Sequence, residues 1–141
     1  MENKLGEGAI YNDSTREFWH VDIEGKQLFI TDLDTKRQKT YNMGERIGTV
    51  TPDNQSNAIV ALQNGIYQYN LDSSSFKLIC NPIDTIPEIR YNDGKCDANG
   101  RLWVGSMGLK QKPNRASLYS VENGMAQKKM DNVTISNGIV W

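Results

Sequence analysis

The segment RYNDGKCDANGRLWVGSM, residues 90–107, decides the fold because its second half is one copy of a unit that recurs along the chain. In that half, the turn DANG leads into the strand-like run RLWVGSM. The same order occurs earlier, where IYND precedes FWHVD and VTPD precedes AIVAL. Equivalent openings are 40 residues apart between Ile10 and Val50, and 46 apart between Val50 and Cys96. A fourth opening starts at Ile139, so the sequence carries a regular repeat of about 40 to 50 residues.

Each repeat consists of short β-type runs rich in β-branched and aromatic residues, separated by Asn, Asp, Gly and Ser. No stretch keeps the apolar spacing of an amphipathic helix. After each opening strand comes an amphipathic partner (QLFITDLD, GIYQYNLD, ASLYSVEN) and then a more polar third strand (KRQKTYN, FKLICNP, AQKKMDN). The predicted strands lie at 17–22, 27–32, 37–41, 49–50, 58–62, 65–70, 76–80, 102–106, 117–121 and 126–130.

An all-β fold of the β-propeller type follows from this repeat, because three or four strands per unit of this length describe propeller blades. A solenoid or a β-sandwich is the alternative. We expect about three blades, at residues 10–48, 49–92 and 93–138. Propellers close with about four to eight blades. The chain is therefore expected either to be a fragment of a longer protein or to complete the ring with a second copy of itself.

Composition excludes several classes of partner. The 16 basic and 17 acidic residues give a net charge of −1 without a basic stripe, which argues against nucleic acid. No apolar run approaches the ~20 residues that span a bilayer, and the N-terminal sequence MENKLGEG lacks the apolar core of a secretory signal. The two cysteines are too few for a disulfide framework. We expect a reducing, cytoplasmic setting and no membrane partner.

The motifs LGEG, RYNDGK with DANGRLWVGSM, and ISNGI stand in an order and spacing that resemble the gluconolactonase/regucalcin family, also called the senescence marker protein family. The resemblance covers nearly the whole chain, including NAIVALQNGIYQY and ASLYSVENG. It implies a six-bladed propeller that binds a divalent cation in its central channel and hydrolyses sugar lactones. Family members are about twice this length, so the resemblance implies that the chain corresponds to their N-terminal half.

The resemblance also implies roles for particular residues. Glu7 in LGEG matches a carboxylate metal ligand, and Asn137 in ISNG matches an amide-oxygen ligand. Arg90 and Asn92 in RYND match the residues that hold the sugar ring. A third metal ligand, an aspartate that also acts as the general base, belongs to a later blade, so no catalytic residue is expected within this chain. Lys110 stands where some members place a glutamate that contacts substrate.

These residue types suit the implied chemistry. The cation expected from the resemblance is Ca²⁺, which takes oxygen ligands from carboxylates and amides, and Zn²⁺, Mn²⁺ or Mg²⁺ are alternatives. A hard cation polarises a lactone carbonyl and lowers the pKa of bound water. Taken alone, Glu7 is typical of a solvated acid, Asn137 of a turn residue and Arg90 of a surface charge. RYNDGK is then interpreted as a substrate loop, in which Asp93 and Lys95 either bridge each other or cap the turn.

Two classes of function remain open at this stage. The chain is either part of a metal-dependent sugar lactonase or a calcium- or partner-binding β module without turnover. A homodimer that closes the ring is a variant of the first class.

Overall fold

The computed structural model describes residues 2–53 and 56–141, which form strands joined by turns. Within that part of the chain, twelve strands build three four-stranded antiparallel sheets. The strands are β1 (Gly6–Asn12), β2 (Glu17–Asp22), β3 (Gln27–Asp32), β4 (Gln38–Asn42), β5 (Ile47–Pro52), β6 (Asn57–Leu62), β7 (Gly65–Asn70), β8 (Ser75–Cys80), β9 (Ile89–Cys96), β10 (Leu102–Gly108), β11 (Ala116–Glu122) and β12 (Met125–Val133). No helix in these ranges is long and apolar enough to cross a membrane.

Each sheet is a meander in which strands pair in chain order, β1 to β4, β5 to β8 and β9 to β12. The β2–β3 hairpin is regular from the pair Glu17–Asp32 to the pair Asp22–Gln27. Short turns suffice for such antiparallel neighbours. The first strand of every sheet is its inner strand, and the inner strands of successive sheets lie against one another.

The sheets pack face to face around two apolar cores. The first core lies between the first and second sheets and includes Trp19, Val21, Val50 and Val60. The second lies between the second and third sheets, where Ala61 from β6 meets side chains of β9, β10 and β11. Successive residues of a strand point to opposite faces, so β6 supplies both cores and the middle sheet is covered on both sides. In the described part of the chain, no further sheet covers the outer face of the first or the third sheet, although the segment after β12 lies against part of the third.

The inner strands β5 and β9 approach each other closely because the residues at their contact are small. A Cβ on Gly48 of β5 would lie 2.6 Å from the carbonyl oxygens of Tyr91 and Asn92 in β9. The Thr49 hydroxyl donates a hydrogen bond to the carbonyl of Gly94, at 3.0 Å. Three meanders joined along their first strands have the arrangement of consecutive propeller blades.

The all-β prediction is confirmed, but the structure corrects it in one important place. RYNDGK is not a loop: it lies within the inner strand β9, and β1 likewise begins inside LGEG. Gly, Asn and Asp usually indicate turns, and here tertiary packing overrides that preference. The predicted blade boundaries at residues 10, 49 and 93 therefore fall inside β1, β5 and β9, which begin at Gly6, Ile47 and Ile89.

Candidate functional site

An open cleft of about 340 Å³ lies where β1 and β9 meet the end of the chain. It brings together residues that are far apart in sequence. Among its lining residues are Glu7, Gly8, Asp93, Lys95, Asn137 and Gly138. Both predicted metal ligands, Glu7 and Asn137, therefore face the same space.

Glu7 reaches the cleft from an irregular part of β1. The pairing of β1 with β2 shifts register between Glu7 and Ile10, and Gly8 has a φ of 61°, in the left-handed region that glycine adopts most readily. Such bulges redirect side chains. Glu7 is exposed, so its carboxylate is available to a ligand in the cleft.

Asp22 anchors the segment that leads to Glu7. Its buried carboxylate accepts hydrogen bonds from the backbone N–H groups of Lys4 (2.9 Å), Leu5 (3.0 Å) and Gly25 (2.9 Å). Burial raises the pKa of Asp22, but the three backbone donors together outweigh burial and hold it below its usual range. The ionised carboxylate thus fixes the entry into β1.

Arg90 is a buried cation behind the cleft, with 6% of its surface exposed. Its Nη1 donates to the carbonyl of Tyr91 and to Oδ1 of Asn92, both at 2.8 Å. Burial lowers the pKa of Arg90, and the carboxylates of Glu24 and Glu7 oppose that shift. No carboxylate among the described residues forms a direct ion pair with Arg90.

Asn92 is buried beside Arg90, with 7% exposure, and both ends of its amide are used. Oδ1 accepts from Arg90, while Nδ2 donates to the carbonyl of Ser136 at 2.8 Å. The amide orientation is unambiguous because a guanidinium only donates and a carbonyl only accepts. Neither Arg90 nor Asn92 lines the cleft, so their predicted contact with substrate stays a prediction.

Asn137 stands in a segment that follows β12 and has no regular structure of its own. Asp93 contacts this segment: its Oδ2 accepts from the N–H groups of Gly138 (2.8 Å) and Ile139 (3.3 Å). Its Oδ1 accepts from the N–H of Gly94. The sequence left Asp93 as a turn cap or a partner of Lys95, and no spacing rule could have revealed its contact 45 residues away.

Lys110 lies outside the cleft, in the turn after β10. Its Nζ lies 2.6 Å from Oε1 of Glu88, and Lys112 approaches the other oxygen of Glu88 at 3.3 Å. The three exposed side chains form a small ion-pair cluster beside the start of β9.

The donors in the cleft fit a hard cation, because Glu7 offers a carboxylate and Asn137 an amide oxygen. Within residues 2–53 and 56–141, no three His, Cys, Asp or Glu side chains form a metal cluster. Glu7 and Asn137 are the two predicted ligands that the chain brings to this cleft.

Comparison with known proteins agrees with this arrangement. A model of the SMP-30/Gluconolactonase/LRE-like region matches residues 5–141. The chain is 34% identical over 117 residues to L-arabinolactonase of Azospirillum brasilense, covering 81% of this chain and 38% of that protein. It is 28% identical over 144 residues to regucalcin of Xenopus laevis, covering 98% of this chain and 48% of that protein. The chain thus spans about half the length of the curated relatives it matches.

Among solved structures, a calcium-binding protein, regucalcin, from Agrobacterium tumefaciens superposes with a TM-score of 0.91 at 23% identity. The superposition covers 96% of this chain and 46% of that one. At this identity the likeness establishes the fold, so the three sheets are consecutive blades of a six-bladed propeller type and make up about half of such a ring.

Proposed function

The chain belongs to the SMP-30/gluconolactonase/LRE-like family, and we propose that it carries part of the active site of a metal-dependent sugar lactonase. The observation that supports this most directly is the cleft, which joins Glu7 from the first blade with Asn137 from the end of the chain. The fold brings these two oxygen donors, which are separated by most of the sequence, to one exposed space, because the segment of Asn137 is bound to β9. A carboxylate and an amide oxygen together are a partial ligand set for a hard cation.

Glu7 and Asn137 would hold the cation, and Ca²⁺ suits them best because it accepts carboxylate and amide oxygens in flexible geometry. Zn²⁺, Mn²⁺ and Mg²⁺ are the alternatives. When bound, such a cation polarises a carbonyl oxygen and lowers the pKa of bound water. The agreement with regucalcin, which is described as a calcium-binding protein in its solved structure, supports this choice.

Arg90 and Asn92 would orient the sugar. Nη1 of Arg90 is engaged by protein acceptors, whereas its other N–H groups have no protein acceptor among the described residues. A guanidinium directed by two fixed hydrogen bonds can hold ring or hydroxyl oxygens in one orientation.

In this proposal, the chain's own residues bind the cation and orient the sugar. None of them is assigned proton transfer at the reacting carbonyl. The resemblance assigns the general base to a later blade. We therefore propose that this chain on its own hydrolyses lactones weakly at best.

The experiment that tests the proposal combines cation titration with lactone hydrolysis on the same protein. Ca²⁺ binding is followed by calorimetry, and hydrolysis of glucono- and arabinono-lactone by acid release. We expect Glu7→Gln to weaken Ca²⁺ binding at least tenfold, because it removes the charge of the one carboxylate among the two proposed ligands, while Glu122→Gln, at the end of β11 and outside the cleft lining, changes nothing. Equal affinity in wild type and Glu7→Gln would refute the proposed cation site.

A second candidate is a cation-binding module without turnover, which the incomplete donor set favours. Ca²⁺ binding that depends on Glu7, without cation-dependent hydrolysis of any lactone tested, would support the module. Hydrolysis that requires Ca²⁺ and is lost in Glu7→Gln would support the lactonase.

We also propose a second copy of the chain as a partner, since aromatic side chains are exposed on the outer faces of the first and third sheets. Phe18 is 37% exposed on the first and Trp141 is 66% exposed against Trp103 of the third. Light scattering measures the outcome. A dimer mass supports ring closure by two copies, and a monomer mass contradicts it.

A further inference from the structure

The segment that carries Asn137 depends on the third sheet for its position. After β12 ends at Val133, the chain makes one isolated bridge, between Ile135 and Met107 of β10. The N–H of Ser136 donates to the carbonyl of Ser106 at 3.3 Å. Beyond Ser136 there is no further strand pairing in the described residues, so the backbone after Asn137 depends on side-chain contacts for its position.

Two neighbouring residues of β9 provide that fixation. Asn92 holds the near side, where its Nδ2 donates to the carbonyl of Ser136. Asp93 holds the far side, where its Oδ2 accepts from the N–H groups of Gly138 and Ile139. Residues 136, 138 and 139 are thus bound to one strand, and Asn137, which lines the cleft, lies between 136 and 138.

We propose that Asp93 is a positioning residue for the cation site: it holds the Gly138–Ile139 backbone so that the Asn137 amide oxygen faces Glu7 across the cleft. The inference rests on the proposed function, because it takes Glu7 and Asn137 to share a cation. Asp93 itself acts through Asn137 and is not a ligand.

Physical chemistry favours Asp93 for this task. A charged acceptor forms stronger hydrogen bonds than a neutral one, and two successive backbone N–H groups directed at one oxygen fix both position and rotation of the peptide units between them. Gly138 has a φ of 74°, a conformation that the carboxylate stabilises by accepting its N–H. Outer groups that orient metal ligands typically change affinity by about 10- to 100-fold when they are removed.

Asp93→Asn tests the proposal in the full 141-residue chain. The variant keeps the shape of the side chain but replaces one carboxylate oxygen with an NH₂ group. Asp34→Asn is the matched control, because it removes one exposed carboxylate that pairs with Arg16 and does not line the cleft. The probe is Tb³⁺, a luminescent hard cation that binds oxygen ligands in place of Ca²⁺.

Three readouts separate positioning from other roles. Asp93→Asn is expected to weaken Tb³⁺ binding about tenfold or more, and Asp34→Asn to leave it unchanged. In an Asn137→Ala background, the same Asp93→Asn change is expected to alter the affinity less than about twofold, since residues that act through one another are not additive. The Tb³⁺ luminescence lifetime should report about one additional bound water in both Asp93→Asn and Asn137→Ala, because Ca²⁺-like cations fill open positions with water.

Amide hydrogen exchange at Gly138 and Ile139 supplies the test that needs no cation. We expect faster exchange at both positions in Asp93→Asn and unchanged exchange in Asp34→Asn. Unchanged exchange, or an equal loss of affinity with and without Asn137, would overturn the positioning role. Failure of the wild-type chain to bind Tb³⁺ would instead contradict the proposed function, and with it the cation part of this inference.

Discussion

Single carboxylates stabilise turns in this protein by accepting several hydrogen bonds at once, and Asp97 is an example. It stands between β9 and β10, where it accepts from Trp103 Nε1 at 3.0 Å and from Arg101 Nε at 2.8 Å. The N–H groups of Asn99 and Arg101 also donate to it. Trp103 first, and then the donors of Arg101 and Asn99, lower the pKa of Asp97 to about 2 against the effect of burial.

The low pKa of Asp97 predicts a specific dependence of stability on pH. An unfolded aspartate has a pKa of about 3.9, so the carboxylate contributes its full stabilisation above that pH and loses it as pH falls towards about 2. We expect Asp97→Asn to be less stable than wild type at pH 7, with a difference that shrinks steadily below about pH 4. Urea unfolding at several pH values measures this. A difference that stays constant down to pH 2.5 would contradict the assigned role.

Asp22 is a second carboxylate that accepts several backbone hydrogen bonds. Its replacement should loosen the segment before Glu7. Asp22→Asn cannot accept three backbone hydrogen bonds as well as a carboxylate does. We expect a loss of about 2 kcal/mol in the free energy of unfolding, the usual scale for hydrogen bonds to charged groups. Denaturant unfolding measures it, and Asp34→Asn, an exposed ion-pair change, should cost less than about 1 kcal/mol. If both variants lost the same small amount of unfolding free energy, Asp22 would not anchor the segment before Glu7.

At the scale of elements, the inner strands decide the geometry of the site. Patterns of alternating apolar residues predicted the middle and outer strands well, because those strands have one clear core-facing side. The inner strands β1 and β9 contain Gly, Asn and Asp at positions where blades and cleft meet. Local preference therefore indicated turns, and only packing between sheets makes these segments extended. For the same reason, the resemblance could select Arg90 and Asn92, but sequence could not reveal that both are buried.

Gly48 tests the close approach of two inner strands. Its replacement by Ala would put a Cβ 2.6 Å from two carbonyl oxygens of β9, atoms that cannot move without disturbing that strand. We expect Gly48→Ala to destabilise the protein by about 1–3 kcal/mol or more. Thermal or denaturant unfolding measures the change. Gly108→Ala is the matched control, because a Cβ there meets nothing closer than 3.6 Å. If both variants proved equally stable, the inner strands could not be packed this tightly.

At the scale of the whole molecule, the first and third sheets differ from the middle one because, among the described residues, each has one face that no other sheet covers. On the first sheet, Phe18 tilts against His20, whose ring stacks on Phe29 at 4.8 Å. The repeat in the sequence predicted this incomplete ring. Sequence could not determine what covers the free faces, since the same apolar residues suit a second copy and further blades alike. The cytoplasmic location likewise stays a prediction.

A charge on the free face should reduce association if two copies pair there. We expect Phe18→Glu to lower the weight-average mass of the chain in concentrated solution, because burying a carboxylate against an aromatic face is unfavourable. Leu78→Glu, at a 56% exposed position on the outer strand of the middle sheet, should leave the mass unchanged. Light scattering over a range of concentrations measures both. Identical behaviour of the two variants would exclude the first sheet as the contact surface.

The meander order also affects how the protein can fold while it is being synthesised. Because strands pair only with their neighbours in sequence, a ribosome that has released residues through Asn42 has delivered every strand of the first sheet. Each later sheet can then pack against the sheet that was synthesised before it. We expect ribosome-bound chains to gain resistance to protease in three successive steps, one as each sheet emerges, whereas a single late step would indicate that the blades fold only together.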